Sequence, residues 1–336
     1  MKAVILASHR RKIMGIIFVI VGFVSLPLSS SLAKAIRIGC AGVGGLFLPV
    51  WVAQDKGLFK RYGLDTEVIT FQGGPLAVQA LVAGDIQFTA GGISSGVNAR
   101  IAGAEIVAIA TFVNTLPYTL VASEKIKLAD QLKGKRFGVS RFGAADYIAL
   151  KVALPKYGID PEKEAILVQV GNQSARFGAL KGGTVDATLI SPPLTLTARK
   201  LGFNSVISFQ RTGIKWTYNS VLVSTDFANR DRQTIVNFLK GFVEGIAYLR
   251  RNKVESLGVL SKWMGLKDRE ALEESYGYVL EVLPRKPYTD QEGMQALLSF
   301  IGEGNPKAKR FKPQDFNDMR FLQELDQSGF IDRLYQ

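Results

Sequence analysis

From Ile36 onwards, the apolar and polar positions of the chain follow two alternating patterns. Short runs rich in β-branched residues alternate with segments whose apolar residues recur every three or four positions, as in buried strands and amphipathic helices. The order strand, helix, strand, helix predicts an α/β fold. From about residue 230 the pattern becomes helical, and it predicts helices over 232–252, 253–265, 268–280, 290–304 and 313–325.

The predicted strands form two successive sets, 35–113 and 132–209, followed by a return strand over 218–228. The segments 78–95 and 177–194 resemble each other, because both read Ala-Leu-x-x-Gly, then a strand, then small residues before a helix. This similarity predicts two similar lobes. Since glycine ends many helices, an explanation from ordinary helix-glycine-strand turns alone stays open.

The first 35 residues have the three-part layout of a secretory signal. A basic segment at 9–12 precedes an apolar run over 13–28, and the small-residue stretch SSSLAKA ends at Ala35 with an A-x-A cleavage site. The apolar run is shorter than the roughly 20 residues of a membrane span. We therefore expect a cleaved signal peptide and a periplasmic protein, with a retained anchor as the alternative.

Charge and rare residues exclude several classes of function. Cleavage after Ala35 would remove five basic and no acidic residues, so the formal charge would fall from +13 to +8. The remaining charge is diffuse, with no basic block interleaved with aromatics, and predicts no nucleic-acid partner. His9 is the single histidine and Cys40 the single cysteine. A Cys/His metal site, an internal disulfide and a Ser-His or Cys-His catalytic pair are therefore not expected, and we predict no catalytic residues, metal or cofactor.

The strand-to-helix junctions are built from small and uncharged polar residues. In an open parallel sheet, such junctions meet at the carboxyl ends of the strands, where ligands bind, and helix starts there favour anions or carbonyl oxygens. The opening Gly42-x-Gly44 is not a dinucleotide fingerprint, because Phe47 stands at the third glycine position. The junctions predict a ligand cleft between the lobes; they are 42–45, 72–74, 91–95, 140–143, 171–174 and 191–193.

Several side chains near these junctions have more than one reading. The aromatic residues either stack against a ligand or pack under the loops. The amides and the threonine either contact a ligand or form turns, and the sequence leaves both alternatives open. Asp146 and Asp186 lie near the second set of junctions without an evident acid/base partner, and we interpret Asp186 as part of a helix-to-strand turn. The other side chains in question are Phe47, Phe142, Trp216, Tyr218, Asn114, Thr115 and Asn219.

The chain resembles the exported substrate-binding proteins of ATP-driven (ABC) importers, in particular the sulfonate/nitrate/taurine-type branch. The resemblance rests on LPVWVAQDKGLFKRYGLDTEVITFQGG, ALVAGDIQFTAGG, LKGKRFGVS and ALKGGTVDATLISPP, together with the signal before them. It implies a two-lobed, hinge-bending α/β fold of the second structural class of periplasmic binding proteins, with a helical C-terminal extension. The implied organisation is a signal peptide at 1–35, a first lobe at 36–120 and 220–336, and a second lobe at 121–219.

The resemblance also implies a function: capture of a small organic anion or heteroaromatic solute between the lobes and delivery to a membrane permease, by a monomer. An enzyme on the same fold and a periplasmic sensory module are the alternatives. The related thiamine-pyrimidine synthases use an active-site histidine, which residues 36–336 lack. Carried over by position, the ligand shell comprises Gly44, Gly45, Phe47, Ser94, Ser95, Asn114, Thr115, Ser140, Phe142, Asn172, Ser191 and Pro192.

Overall fold

The computed structural model describes residues 35–336, whose strands form two five-stranded sheets. The predicted signal peptide lies, apart from Ala35, outside the described residues. In chain order the strands are β1 (Ile36–Cys40), β2 (Thr66–Thr70), β3 (Phe88–Gly92), β4 (Ile106–Val113), β5 (Thr119–Ala122), β6 (Lys135–Val139), β7 (Ala165–Gln169), β8 (Ala187–Ile190), β9 (Asn204–Ser208) and β10 (Asn219–Ser224).

Both sheets combine parallel and antiparallel pairs. The first has the order β2-β1-β3-β10-β4, with β1 parallel to β2 and β3, and β10 antiparallel to both its neighbours. The second has the order β7-β6-β8-β5-β9, with β6 parallel to β7 and β8, and β5 antiparallel to both its neighbours. Each sheet with its helices is one lobe, which confirms the predicted two-lobed α/β architecture.

Helices connect the parallel strands and form most of the chain beyond β10. Short 3-10 turns occur at Gly45–Phe47, Ala129–Leu132, Leu154–Tyr157, Phe209–Thr212, Pro306–Arg310 and Pro313–Phe316. The α-helices are α1 (Leu48–Asp55), α2 (Leu58–Arg61), α3 (Gly74–Ala83), α4 (Ile93–Ile101), α5 (Ala145–Ala153), α6 (Gln173–Lys181), α7 (Leu194–Lys200), α8 (Thr225–Arg230), α9 (Arg232–Arg251), α10 (Lys253–Met264), α11 (Arg269–Val282), α12 (Gln291–Gly304), α13 (Arg320–Gln327) and α14 (Phe330–Arg333).

The long helix α9 packs one apolar face against α1 and α2 and so joins the C-terminal helices to the first lobe. Phe238 of α9 stacks on Phe88 of β3, with ring centroids 3.9 Å apart, and on Phe59 of α2 at 5.2 Å. All three rings are almost completely buried. Burial of large aromatic side chains is a major stabilising contribution in a core of this kind.

The predicted return strand over 218–228 is wrong at its C-terminal end. The strand β10 ends at Ser224, where the next helix, α8, begins. The Ser224 side chain accepts a hydrogen bond from Phe227 N at 3.1 Å, so it caps one of the free N–H groups of the helix start. The helix cap therefore overrides the strand pattern of the sequence.

The predicted helix over 313–325 is also interrupted. Asn317 has an extended backbone between the 3-10 turn at Pro313–Phe316 and α13. It bridges Ala108 of β4, and Asp318 N donates to Ala108 O at 2.7 Å. This edge contact with the first sheet replaces helical hydrogen bonds, a tertiary effect that local periodicity does not contain.

The same hydrogen bond, from a backbone N–H to a side chain, occurs in both sheets at positions 99 residues apart. Arg37 N donates to the Gln87 side chain at 2.9 Å, and Arg136 N donates to the Asp186 side chain at the same distance. The equivalent strands β3 and β8 both take the third position in their sheets. Asp186 also binds the Arg136 guanidinium, as expected for a residue of the helix-to-strand turn.

The chain crosses between the sheets twice. It leaves the first sheet after Val113 and enters the second at Thr119, and it returns between Ser208 and Asn219. We refer to residues 114–118 as the first crossover and to residues 209–218 as the second crossover. The exact domain boundaries at 120 and 220 stay a prediction.

Candidate functional site

A cavity of about 90 Å³ lies between the two sheets. Its walls are the loops at the carboxyl ends of the parallel strands, where ligands of open α/β sheets bind, together with the ends of both crossovers. The volume is small beside the roughly 300–1,000 Å³ of drug-sized ligand pockets, so the space suits a small solute. The lining consists of residues 41–44, 46–47, 73–74, 92, 95, 118, 140, 144–146, 172–173, 176, 191 and 218–219.

The two lobes touch around this cavity. The Asn98 side chain of α4 donates to Gly143 O at 3.3 Å, and Asn172 N donates to the Gln72 side chain at 3.4 Å. A Cβ atom built on Gly92 would lie 2.5 Å from the Ala145 Cβ of the other lobe. The lobes are therefore close together in this conformation, and a solute larger than the remaining space needs them to separate before it can bind.

Besides α1, whose N-cap residue Phe47 lines the cavity, four helices begin at the cavity wall, two from each lobe. They are α3, α4, α5 and α6, each of nine or ten residues, and the first turns of α3, α4 and α6 carry no acidic residue. Free N–H groups and the positive end of the helix dipole at such starts attract anions. At α6 the Asn172 side chain accepts from Ala175 N, and at α4 Ile93 N donates to Tyr218 O, but no negative charge offsets the helix dipole at three of the four starts.

The charged side chains of the lining, Asp146 and Arg176, pair with each other. The Arg176 guanidinium lies 3.0 Å from the Asp146 carboxylate, and both side chains are about 4% exposed. Ser140 donates to the same carboxylate through its N–H and its hydroxyl, both at 2.6 Å, and Arg176 also donates to Gly171 O and Leu189 O. The Arg176 Nε–H has no partner in the described part of the protein, but the pair is neutral overall, so it organises the wall without offering a free charge.

Two tyrosines form the part of the wall at the crossovers. Tyr118 and Tyr218 bond to each other through their hydroxyl groups, with rings edge to face and centroids 5.3 Å apart. Burial raises the pKa of both phenols well above the ordinary range, and the nearby Asp146 carboxylate adds to this effect. Both groups are therefore neutral donors at physiological pH.

Ser95 brings a further free donor to the wall. Its side chain is 5% exposed, and its hydroxyl has no hydrogen-bond partner in the described part of the protein. An unpartnered buried hydroxyl costs free energy, and a bound solute with an acceptor atom would relieve that cost.

The structure brings half of the predicted ligand shell to the cavity. Those residues come from both lobes and from five different junctions. Their role as ligand contacts stays a prediction. The residues that line the cavity are Gly44, Phe47, Ser95, Ser140, Asn172 and Ser191.

The other predicted residues lie elsewhere. Gly45 packs against Ser275 of α11, and Ser94 is buried beside the lining. Phe142 is 54% exposed and packs edge to face on Tyr147. Neither it nor Pro192 belongs to the lining.

Asn114 and Thr115 line a different cavity, of about 380 Å³, together with Gln210 and residues 281–284. The Asn114 side chain is already engaged, because it donates to Tyr288 O at 2.9 Å and accepts from Asp290 N at 3.1 Å. These bonds tie the first crossover to the segment before α12.

Sequence reasoning assigned no ligand role to Tyr118, Asp146, Gln173 or Arg176, which all line the cavity. Asn219, for which a ligand contact was left open, lines it as well. One signal was available for the ion pair. Arg176 lies in the first turns of α6, where a positive charge is unfavourable beside the helix dipole, so a carboxylate partner could have been inferred. Tyr118 carried no comparable signal, because its place depends on how the crossovers pack.

Two features are absent from residues 35–336. None of the helices there combines the length and apolar character needed to cross a bilayer. Within the same residues, no group of three or more acidic, cysteine or histidine side chains is placed to hold a metal ion.

Relatives by sequence are named as binding proteins. The chain is 26% identical over 216 residues to YtlA of Bacillus subtilis (strain 168), which is named as a binding protein; the match covers 63% of this chain and 65% of YtlA. A protein of the same organism, named for binding aliphatic sulfonates, is 25% identical over 248 residues, 71% of this chain and 72% of the relative.

Solved structures show the same fold. A protein of Bordetella bronchiseptica RB50 superposes with a TM-score of 0.78 at 20% identity, covering 88% of this chain and 97% of the other. The alkanesulfonate-binding protein SsuA of Xanthomonas axonopodis pv. citri, solved with MOPS bound, superposes with a TM-score of 0.69 at 18% identity, covering 86% and 96%. These likenesses confirm the predicted fold of periplasmic binding proteins.

The family itself follows from a match that covers more than half of the chain. The sequence model described as NMT1/THI5 like matches residues 46–256, which include every residue of the cavity lining except 41–44. The chain belongs to the NMT1/THI5-like family.

Proposed function

We propose that this chain is an exported solute-binding protein, which captures a small organic anion between its lobes and delivers it to the permease of an ABC importer. The proposal includes export through the cleaved signal at 1–35, a periplasmic location and a monomeric state. It is supported by the names of the relatives, which describe binding proteins and include one for aliphatic sulfonates, and by the fold.

The observation that carries the proposal is the convergence of four helix starts on one cavity between the lobes. Three of these starts have no acidic residue in the first turn, and the Asp146–Arg176 pair neutralises itself. The potential left in the cavity is therefore positive and comes from backbone N–H groups. An anion with several acceptor oxygens suits this environment better than a cation or an apolar solute.

Closure of the cleft explains how binding becomes a signal for delivery. The cavity wall contains residues of both lobes, so a solute makes its full set of contacts in the closed arrangement. A solute that binds the closed state better shifts the balance toward it. A permease that recognises both lobes together would then select the loaded form.

Binding without turnover is part of the proposal. The cavity lining contains no histidine or cysteine, and its carboxylate, Asp146, is held by Ser140 and Arg176. No group of the lining is therefore free to act as a general base. This arrangement supports a binding role over an enzymatic one on the same fold.

The test is a thermal-shift and calorimetry series on the purified protein, with methanesulfonate, nitrate, acetate, benzoate and an uncharged pyrimidine. We expect at least one anion to raise the melting temperature and to be recovered unchanged, as judged by mass spectrometry. Mass spectrometry of solutes that co-purify with the protein would identify the natural ligand class. Consumption of a bound solute, or stabilisation by the uncharged compound alone, would contradict the proposal.

A further inference from the structure

The two tyrosines of the cavity wall connect the two crossovers. Tyr118 ends the first crossover and Tyr218 ends the second. Their backbones also join the two segments, because Phe209 N donates to Tyr118 O and Tyr218 N donates to Val113 O, both at 2.9 Å. The pair therefore lies where the chain must bend when the lobes move.

The two hydroxyl groups of this pair carry two O–H donors, and the described residues accept a hydrogen bond from one of them. Each phenol carries one O–H, and the two hydroxyls bond to each other, which consumes one proton. Neither hydroxyl has another hydrogen-bond partner among the side chains that the structure describes, and both residues line the cavity. One O–H is thus left for an acceptor that the described residues do not supply.

The nearest carboxylate does not fill this role. Asp146 lies close enough to influence both phenols, but it accepts its hydrogen bonds from Ser140 and is paired with the Arg176 guanidinium. A buried donor without an acceptor is costly, so the remaining O–H favours a solute with an acceptor atom at this end of the cavity.

We propose that Tyr118 and Tyr218 act as a donor pair for the bound solute: one phenol donates to the other, and the second donates to an acceptor oxygen of the anion. This inference rests on the proposed function. It makes the pair a determinant of specificity, because a solute must present an acceptor beside the crossovers. It also links binding to the closed state, because the same contact fixes both crossovers.

The test compares Tyr118→Phe, Tyr218→Phe and the double variant by calorimetry, with the anion that binds the wild type most tightly in the series above, starting from methanesulfonate. Loss of the phenol that donates to the anion should raise Kd on the order of tenfold or more, since hydrogen bonds to charged groups are stronger than those between neutral groups. Loss of the other phenol should raise Kd less. The double variant should resemble the worse single variant.

The matched control is Tyr62→Phe, which removes a hydroxyl bonded to Glu244; neither residue belongs to the cavity lining. We expect this variant to keep the wild-type Kd. A second readout does not depend on variants: adding the anion to wild-type protein should change the tyrosine difference absorption spectrum, and Tyr62→Phe should keep that change.

The outcomes separate the two proposals. If an anion binds the wild type but both single variants keep its Kd, or the wild-type spectrum does not change, the donor pair is overturned and the binding function stands. If none of the anions binds, the proposed function fails and the donor pair fails with it. An unequal effect of the two single variants identifies the phenol that contacts the solute.

Discussion

At the scale of single residues, the contact between Gly92 and Ala145 controls how closely the lobes approach. Gly92 has φ −61° and ψ 117°, a conformation that alanine adopts freely. A larger side chain at this position is therefore opposed by steric overlap and not by backbone strain, because the added Cβ would lie 2.5 Å from the Ala145 Cβ of the other lobe.

We expect Gly92→Ala to hinder closure and to raise Kd for the bound anion about tenfold or more, the scale of an overpacked contact. Calorimetry measures the effect. Gly258→Ala is the matched control, because a Cβ there meets nothing within 4 Å; it should keep Kd and stabilise α10 slightly. Equal Kd values for the two variants would contradict the closure argument.

The Asp146–Arg176 pair makes a second prediction at this scale. Asp146→Ala leaves the Arg176 charge buried without its partner, which costs about 3–5 kcal/mol. Glu67→Ala, which breaks an exposed pair with Arg37, should cost less than about 1 kcal/mol. Urea denaturation gives both free energies of unfolding, and similar losses would show that the buried pair is not structurally important.

At the scale of elements, periodicity and junction composition were enough to predict the two strand sets, the helices between them and a cleft at their carboxyl ends. Gly44, Ser95 and Asn172 could be predicted to line the cleft, because strand-to-helix junctions converge in any such fold. Tyr118 was not, since its position depends on how two crossovers pack. The extended Asn317 also needed the neighbouring edge of β4, which no local pattern describes.

The start of α6 offers a direct test of the helix-start argument. Gln173 is the first residue of α6, and its carboxamide oxygen accepts from Ser191 N and from the Ser191 hydroxyl. Gln173→Glu keeps acceptor oxygens at that position and favours the helix dipole, so we expect the free protein to keep its stability.

The same change places a negative charge in the cavity wall, so Kd for an anion should rise about tenfold or more. Gln291→Glu, at the first residue of α12, is the matched control and should leave Kd unchanged. Melting temperature and calorimetry separate the two effects. Tighter anion binding by Gln173→Glu would contradict a cavity that attracts anions through its helix starts.

At the scale of the whole molecule, ion pairs connect the second lobe to the C-terminal helices. Arg199 of α7 lies 3.1 Å from Glu274 of α11, and Lys200 lies 3.0 Å from Asp268 and 2.7 Å from Glu270. Tyr276 of α11 in turn donates to Leu249 O of α9, so α11 is held to the first lobe.

We expect Lys200→Glu to weaken the closed state and to raise Kd a few-fold at low salt, with the difference lost near 1 M salt because exposed pairs are screened. Arg230→Glu, whose pair with Asp226 lies within α8, is the control and should keep the wild-type Kd. If the ratio of the Lys200→Glu Kd to the wild-type Kd does not depend on salt concentration, an electrostatic contribution of this pair to closure is excluded.

The same pairs predict a dependence on pH. The N–H of Ala271 and the Lys200 ammonium hold the pKa of Asp268 below its ordinary value. The stabilisation by this carboxylate is therefore present at neutral pH and is lost as acid protonates it in the folded state. We expect small-angle scattering of the anion-bound protein to show a larger increase in lobe separation on acidification for the wild type than for Asp268→Asn, which lacks the titratable carboxylate.

The position of β10 has a consequence for how the chain acquires its structure. The second sheet is complete once residue 208 has been synthesised, whereas the first sheet lacks the strand between β3 and β4 until residue 224. During synthesis from the N-terminus, the middle of the chain can therefore finish folding before its beginning. Until β10 arrives, β3 and β4 each present an unpaired edge, which makes the nascent chain slow to fold and vulnerable to aggregation.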